Sequence, residues 1–241
     1  MPISEVFNVD CMKYMKNIPD KYFDLAIVDP PYGINAPNMD MGSARGNIST
    51  TQRLKKGRLN SGGGKLKNRV LNKSSIDWDY KTPSPKYFRE LFRVSKNQII
   101  WGGNYFKLPP TRCVVVWDKV QPWENFSQVE IAWTSFDYPA KIIRMGSRGG
   151  ANDKKKIHPT QKPIDLYAYL LKTFAKKGDK ILDTHLGSGS SRIAAYKLGF
   201  DFVGCEIDTE YFISANERFE RECLEVIKTK NGVLTQQKLF I

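Results

Sequence analysis

Apolar positions along the chain fall into short runs that end at turn residues or carboxylates. Phe23–Asp29, reading FDLAIVD, is apolar almost throughout and closes on an acid followed by Pro30-Pro31. That pattern predicts a buried strand whose C-terminal end opens into a loop. Further strands are expected at Gln98–Trp101, Cys113–Trp117 and Val129–Thr134, separated by turns containing Gly, Pro and Asn. The last third changes period. Leu166, Leu170, Leu171 and Phe174 recur at helical spacing, predicting a helix over Pro163–Ala175 with Pro163 in its first turn. Lys180–Thr184 reads as a strand, Gly187–Leu198 as a helix opened by glycines, and Asp201–Glu206 as another strand. Asp208 or Thr209 can then cap a helix running from about Glu210 towards Ile227. Such β-α-β connections are right-handed.

A length of 241 residues suits one buried core, so residues 1–241 are read as a single domain. The longest apolar runs, Leu25–Val28 and Cys113–Trp117 among them, fall well short of the roughly 20 residues needed to span a bilayer. With no signal-peptide pattern at the start, a cytoplasmic protein without membrane association is expected. Cys11, Cys113, Cys205 and Cys223 are scattered without a C-x-x-C pair, which points to reduced thiols and to no metal site.

Charge alters this picture. Thirty-eight Lys and Arg against 25 acidic residues give +13, which favours a polyanionic partner, nucleic acid or an anionic membrane surface. Between Asp40 and Asp77 no acid occurs, while Arg45, Arg53, Lys55, Lys56, Arg58, Lys65, Lys67, Arg69 and Lys73 do, around Gly62-Gly63-Gly64. Residues 41–76 therefore read as a basic, loop-like insert. A solvated spacer and a segment that orders on phosphates are both open readings of it. A second basic stretch, residues 136–157 with Arg144, Arg148 and Lys154–Lys156, is the candidate target-recognition segment.

Two constellations carry chemistry. In Asp183-Thr184-His185-Leu186-Gly187-Ser188-Gly189-Ser190-Ser191, an acid at a strand end precedes a glycine turn into a helix, and glycines let backbone approach a ligand closely. Arg192 stands where a nicotinamide-binding turn wants a third small residue, which argues against that cofactor. Glu206, nineteen residues beyond Gly187, ends the next strand and can accept both hydroxyls of a ribose. An adenosine-containing ligand fits the pair.

The second constellation is Asp29-Pro30-Pro31-Tyr32. An exocyclic base amine is a poor nucleophile because its lone pair is delocalised into the ring. The Asp29 carboxylate and the Pro30 carbonyl are acceptors that can hold the amine's hydrogens and aim its lone pair at an electrophilic methyl. The two prolines stiffen this geometry, and Tyr32 can stack on a base swung out of the duplex. A rigid strand-ending turn is the bland alternative for this tetrapeptide taken alone. No Pro-Cys nucleophile is present, and His158 and His185, the only histidines, read as polar loop residues.

Taken together, VDPPYGI at 28–34, IIWGGNYF at 99–106, HPTQKP at 158–163, ILDTHLGSGSS at 181–191 and FVGCEID at 202–208 resemble the N6-adenine/N4-cytosine amino-methyltransferases of DNA. The order is the permuted, β-class one, with DPPY ahead of the glycine-rich block. The resemblance implies an α/β, Rossmann-like fold with a mostly parallel seven-stranded sheet, helices on both faces, and VFNVD lying beside FVGCE. It implies S-adenosyl-L-methionine as cofactor, held at its methionine end by Thr160 and Lys162. Asp183, Gly187, Ser188, Gly189 and Ser190 would hold its methionine and backbone, Glu206 and Ile207 its ribose side, and Asp10 and Cys11 its adenine, with Asp29 facing the methyl. Direct transfer to a flipped base in double-stranded DNA is the implied reaction. Asp at the head of the motif favours adenine N6; cytosine N4, RNA, and a catalytically inactive DNA-binding relative are the alternatives. A homodimer and a cognate restriction endonuclease are the further partners it implies. His185 departs from the Phe many relatives carry there.

Overall fold

In the computed structural model, residues 1–36, 78–121, 127–147, 156–224, 226–229 and 232–235 are described. An eight-stranded sheet forms the centre, in the order β1-β8-β7-β2-β3-β5-β4-β6. Its strands are β1 (Ser4–Asn8), β2 (Phe23–Val28), β3 (Ser95–Trp101), β4 (Val114–Asp118), β5 (Val129–Thr134), β6 (Lys141–Arg144), β7 (Lys180–Asp183) and β8 (Asp201–Glu206). All neighbours pair in parallel except β5, which is antiparallel to both β3 and β4. The α/β architecture and the mostly parallel sheet agree with the sequence reading. The strand count does not. The added strand is β6, which takes the outer edge beside β4 from within the stretch assigned to target recognition. A four-residue KIIR carries too little pattern to separate a strand from a loop.

β1 and β8, at opposite ends of the sequence, pair in register from Ser4 with Phe202 to Asn8 with Glu206, as the permuted order requires. β2 is flanked by parallel strands on both sides, which is why FDLAIV reads apolar without alternation: Leu25, Ala26, Ile27 and Val28 are all essentially buried. Two apolar layers cover the sheet. One gathers α3 (Ile164–Phe174) and α4 (Ser190–Lys197) over Leu25, Ile27, Ile99 and Ile181. The other gathers α1 (Cys11–Met15) and α2 (Pro85–Val94) over Phe23, Ala26, Ile100 and Leu182. Helix α5 (Thr209–Phe219) starts at Asp208, whose carboxylate accepts from Tyr211 N–H. It passes into a π turn at Glu220–Leu224, short of the expected Ile227, which lies instead in the hairpin of β9 (Val226–Thr229) and β10 (Gly232–Thr235).

Arg192 is buried on α4. Its guanidinium donates to Ser4 and Asn216 and stacks on Phe219 at 3.7 Å, so a buried cation tethers α4 to β1 and α5. No described helix is long and apolar enough to cross a membrane.

Candidate active site

Open α/β sheets gather ligands beyond the carboxyl ends of their strands, and here the ends of β1, β2, β7 and β8 surround a cavity of about 240 Å³. Asp10, Cys11, Pro31, Tyr87, Thr184, His185, Glu206 and Ile207 are among its lining residues. Five separate stretches of sequence thus reach one space. The Glu206 carboxylate is fixed by two backbone donors, Gly187 N–H at 2.7 Å and Asp208 N–H at 3.0 Å. Each oxygen keeps a free lone pair for a further donor. Burial raises its pKa. Asp10 caps α1 by accepting from Met12 N–H at 2.7 Å, and burial pushes the neighbouring Cys11 thiol up to about 12, so it is a neutral wall rather than a nucleophile.

Asp183, at the end of β7, is almost wholly buried and accepts from Ser191 Oγ at 2.5 Å and His185 N–H at 3.0 Å. Burial pushes its carboxyl up to about 7. It fixes the glycine turn, where Gly187 and Gly189 both take positive φ, +51° and +72°. Ser190 Oγ donates to the Lys162 carbonyl, and Arg218 donates to both Ser188 O and Ser190 Oγ. These bonds lock the HPTQKP loop onto the glycine turn. Thr160 is exposed and bonds His158 Nδ1. His158 and His185 do lie in loops, but the His158 ring is buried between Trp78 and Tyr211, and burial lowers the two rings to about 3 and about 4. Both are neutral packing groups. His185 fills its place by leaning edge-on against Tyr87 and bonding Thr184 Oγ1.

Asp29 follows β2 directly. Its Oδ1 accepts from the Tyr32 hydroxyl at 2.6 Å and its Oδ2 from Lys162 Nζ at 2.5 Å. Lys162 therefore points at the DPPY turn. Its ammonium also pairs with Glu130 Oε2 at 3.0 Å and lies near the Trp101 and Tyr32 rings, and Glu130 Oε1 in turn meets Lys119 Nζ at 2.5 Å. Burial raises Asp29, with Lys162 opposing that rise. Burial depresses Lys162, but Asp29 and Glu130 outweigh it and hold the ammonium above its ordinary value. Glu130 is partly buried, yet its two lysines bring it down to about 2. The chain Asp29, Lys162, Glu130, Lys119 is an alternating and formally neutral row of charges.

The turn after Asp29 is held from outside. Asp79, 3 % exposed, accepts from Tyr32 and Gly33 N–H through one oxygen and from Ala36 N–H through the other. Tyr32 lies against Gly102, where an added Cβ would come within 2.2 Å of the ring, and stacks on Tyr105 at 4.9 Å. The glycine of IIWGGNYF is therefore the space that Tyr32 occupies.

The sequence profile of the family described as DNA methylase, N6_N4_Mtase, matches residues 73–217, more than half of the chain. The chain belongs to the N6/N4 DNA methylase family. Type II methyltransferase M2.DpnII of Streptococcus pneumoniae is 29% identical over 154 residues, 64% of this chain and 52% of that protein. This family member thus spans about half the length of that curated relative. M1.MboII of Moraxella bovis is 23% identical over an alignment of 262 positions covering 90% of this chain and 96% of its own. Among solved structures, the M1.HpyAVI–SAM complex superposes with a TM-score of 0.53 at 18% identity, covering 89% of this chain and 98% of that one. PvuII DNA methyltransferase, cytosine-N4-specific, superposes at 0.56 and 13%, covering 90% and 87%. These likenesses show the methyltransferase fold. The profile match begins after Tyr32, so the DPPY turn stands on its geometry.

Asp10, Cys11, Pro31, Glu206 and Ile207 line one cavity, and Gly187, Ser188, Gly189, Ser190 and Asp183 build the turn behind it. Lys162 joins Asp29 and Tyr32 in a second cluster. Arg144 lies on the outer edge strand, pairing with Asp118 at 3.5 Å. Arg45, Arg53, Lys55, Lys56, Arg58, Lys65, Lys67, Arg69 and Arg148 fall outside the described residues. Sequence reasoning passed over Glu130, Lys119, Asp79 and Tyr87. Glu130 sits at the second position of VEIAWT, where alternation reads as a solvent-facing acid, and Asp79 carries no local signal at all.

Proposed function

We propose that this family member transfers a methyl group from S-adenosyl-L-methionine to the N6 amine of adenine in double-stranded DNA. The observation that carries the reading is the convergence of a rigid acceptor pair, Asp29 and Pro30, with the cavity bounded by Glu206, Asp10 and Pro31. The residues fit that cofactor. Glu206 offers two oriented acceptors for ribose hydroxyls, and the buried Asp183 carboxylate suits a nearby cation such as an amino-acid ammonium. The +13 charge of the chain suits a polyanionic duplex, with phosphate contacts positioning it. The bound cofactor supplies an electrophilic sulfonium methyl.

The protein's part is orientation. Asp29 and the Pro30 carbonyl accept the amine's hydrogens, turning its lone pair out of conjugation and towards the methyl. Tyr32, braced by Gly102, Tyr105 and its bond to Asp29, gives the flipped base a stacking face. Asp29 is the adjacent carboxylate for the proton that the amine releases after transfer. Mass spectrometry of hydrolysed DNA after incubation with protein and cofactor tests this. N6-methyladenine is the expected product; N4-methylcytosine alone, or methylation of RNA alone, overturns the adenine reading.

A further inference from the structure

We infer that Glu130 is a positioning residue for Asp29, acting through Lys162: it shares the lysine's ammonium, so that Asp29 is not fully neutralised by its neighbour. The inference rests on the methyl-transfer reading above. Lys162 Nζ lies between two carboxylates, 2.5 Å from Asp29 and 3.0 Å from Glu130. A single ammonium held by Asp29 alone would bind that carboxylate as a private ion pair and weaken it both as an acceptor for an amine and as a base. Glu130, delivered from β5 two strands away from β2, divides that hold. Lys119 tempers Glu130 from its far side at 2.5 Å, which keeps two acids near one lysine from being repulsive.

The groups facing Asp29 are Lys162 from the loop before α3, the hydroxyl of Tyr32, Glu130 from β5, and the more distant Tyr167 on α3 and Asp183 on β7. Of these, Lys162 lowers the Asp29 carboxyl and Glu130 raises it. Removing the Glu130 charge therefore makes Asp29 more acidic. Removing Lys119 leaves Glu130 less compensated and makes Asp29 less acidic. A purely structural role predicts no such opposition of sign.

The test uses the full chain, with Asp29 followed by carboxyl carbon-13 NMR and D29N as the assignment control. E130Q is expected to move the Asp29 titration to lower pH, K119M to higher pH, and E130D to return it towards wild type. Methyl transfer to duplex DNA is measured alongside. E130Q is expected to lose about tenfold in kcat, with KM for cofactor and DNA within about twofold and the acid limb of the kcat profile displaced downward. Parallel or absent titration shifts in folded E130Q and K119M, or an unchanged kcat in E130Q, overturn the inference. Wild-type protein that methylates neither base overturns the underlying reading instead, a result separable from the titration.

Discussion

Asp29 and Asp183 close two neighbouring parallel strands, β2 and β7, and point into the same end of the sheet, yet they are furnished in opposite ways. Asp29 carries its own cation, Lys162, itself shared with Glu130. Asp183 is given neutral donors, Ser191 Oγ and His185 N–H, and burial leaves it titrating near 7. On the proposed methyl-transfer reading, the contrast follows from what each would meet. A carboxylate that addresses an uncharged amine needs an internal counter-charge to stay ionised while buried. A carboxylate that meets a cationic ligand can leave that place to the ligand, at the expense of stability in its absence.

The largest effect that tests this contrast is at Asp29. D29A should lower kcat by on the order of 10² to 10⁴-fold, the range for a positioned proton-handling group, while cofactor affinity by calorimetry stays within about twofold. If D29A weakens cofactor binding as much as turnover, the two carboxylates do not have separate tasks. Next comes stability. K162M takes from Asp29 its only cation, while Glu130 keeps Lys119, and denaturant unfolding should show a loss of about 3 to 5 kcal/mol. A loss under about 1 kcal/mol would mean that water already screens the pair.

Asp183 should respond in binding rather than turnover. D183N is expected to weaken cofactor affinity roughly 10- to 100-fold, as when a charged hydrogen-bond acceptor is replaced by a neutral one. The sign of the pH dependence is fixed by the raised pKa. Asp183 is ionised above about 7 and protonated below it, so wild-type affinity should fall as pH drops through 7, and D183N should flatten that dependence. An affinity indifferent to pH between 6 and 8 would remove the cationic-ligand argument. The smallest effect belongs to Y32F, which keeps the ring on Tyr105 and Gly102 and deletes only the hydroxyl on Asp29. A loss of up to about tenfold in kcat with little change in KM for DNA is expected.

The same two acids show how far sequence reaches. Both were legible, because each terminates an apolar run and is followed by residues with strong backbone constraints, Pro30-Pro31 in one case and Gly187 and Gly189 in the other. Glu206, Asp10 and the pairing of β1 with β8 were legible for the same reason: local chemistry at strand ends plus motif order. What surrounds Asp29 was not. Lys162, Glu130 and Lys119 come from a loop and from two further places in the sheet, and only the register of β5 against β3 and β4 brings them together. A polar residue in an alternating strand reads as solvent-facing, and long-range pairing of charges leaves no periodic trace. The edge strand β6 was missed because KIIR is too short, and the end of α5 because Leu224 and Ile227 continue a helical spacing that the backbone abandons at the π turn.

The most direct test of the account is base-resolution sequencing of methylation in DNA from cells expressing the wild-type protein or D29N. N6-methyladenine at a defined site is expected with the wild type and its loss with D29N, despite retained folding and cofactor binding. Methylation confined to cytosine, or adenine methylation that persists in D29N, would contradict it.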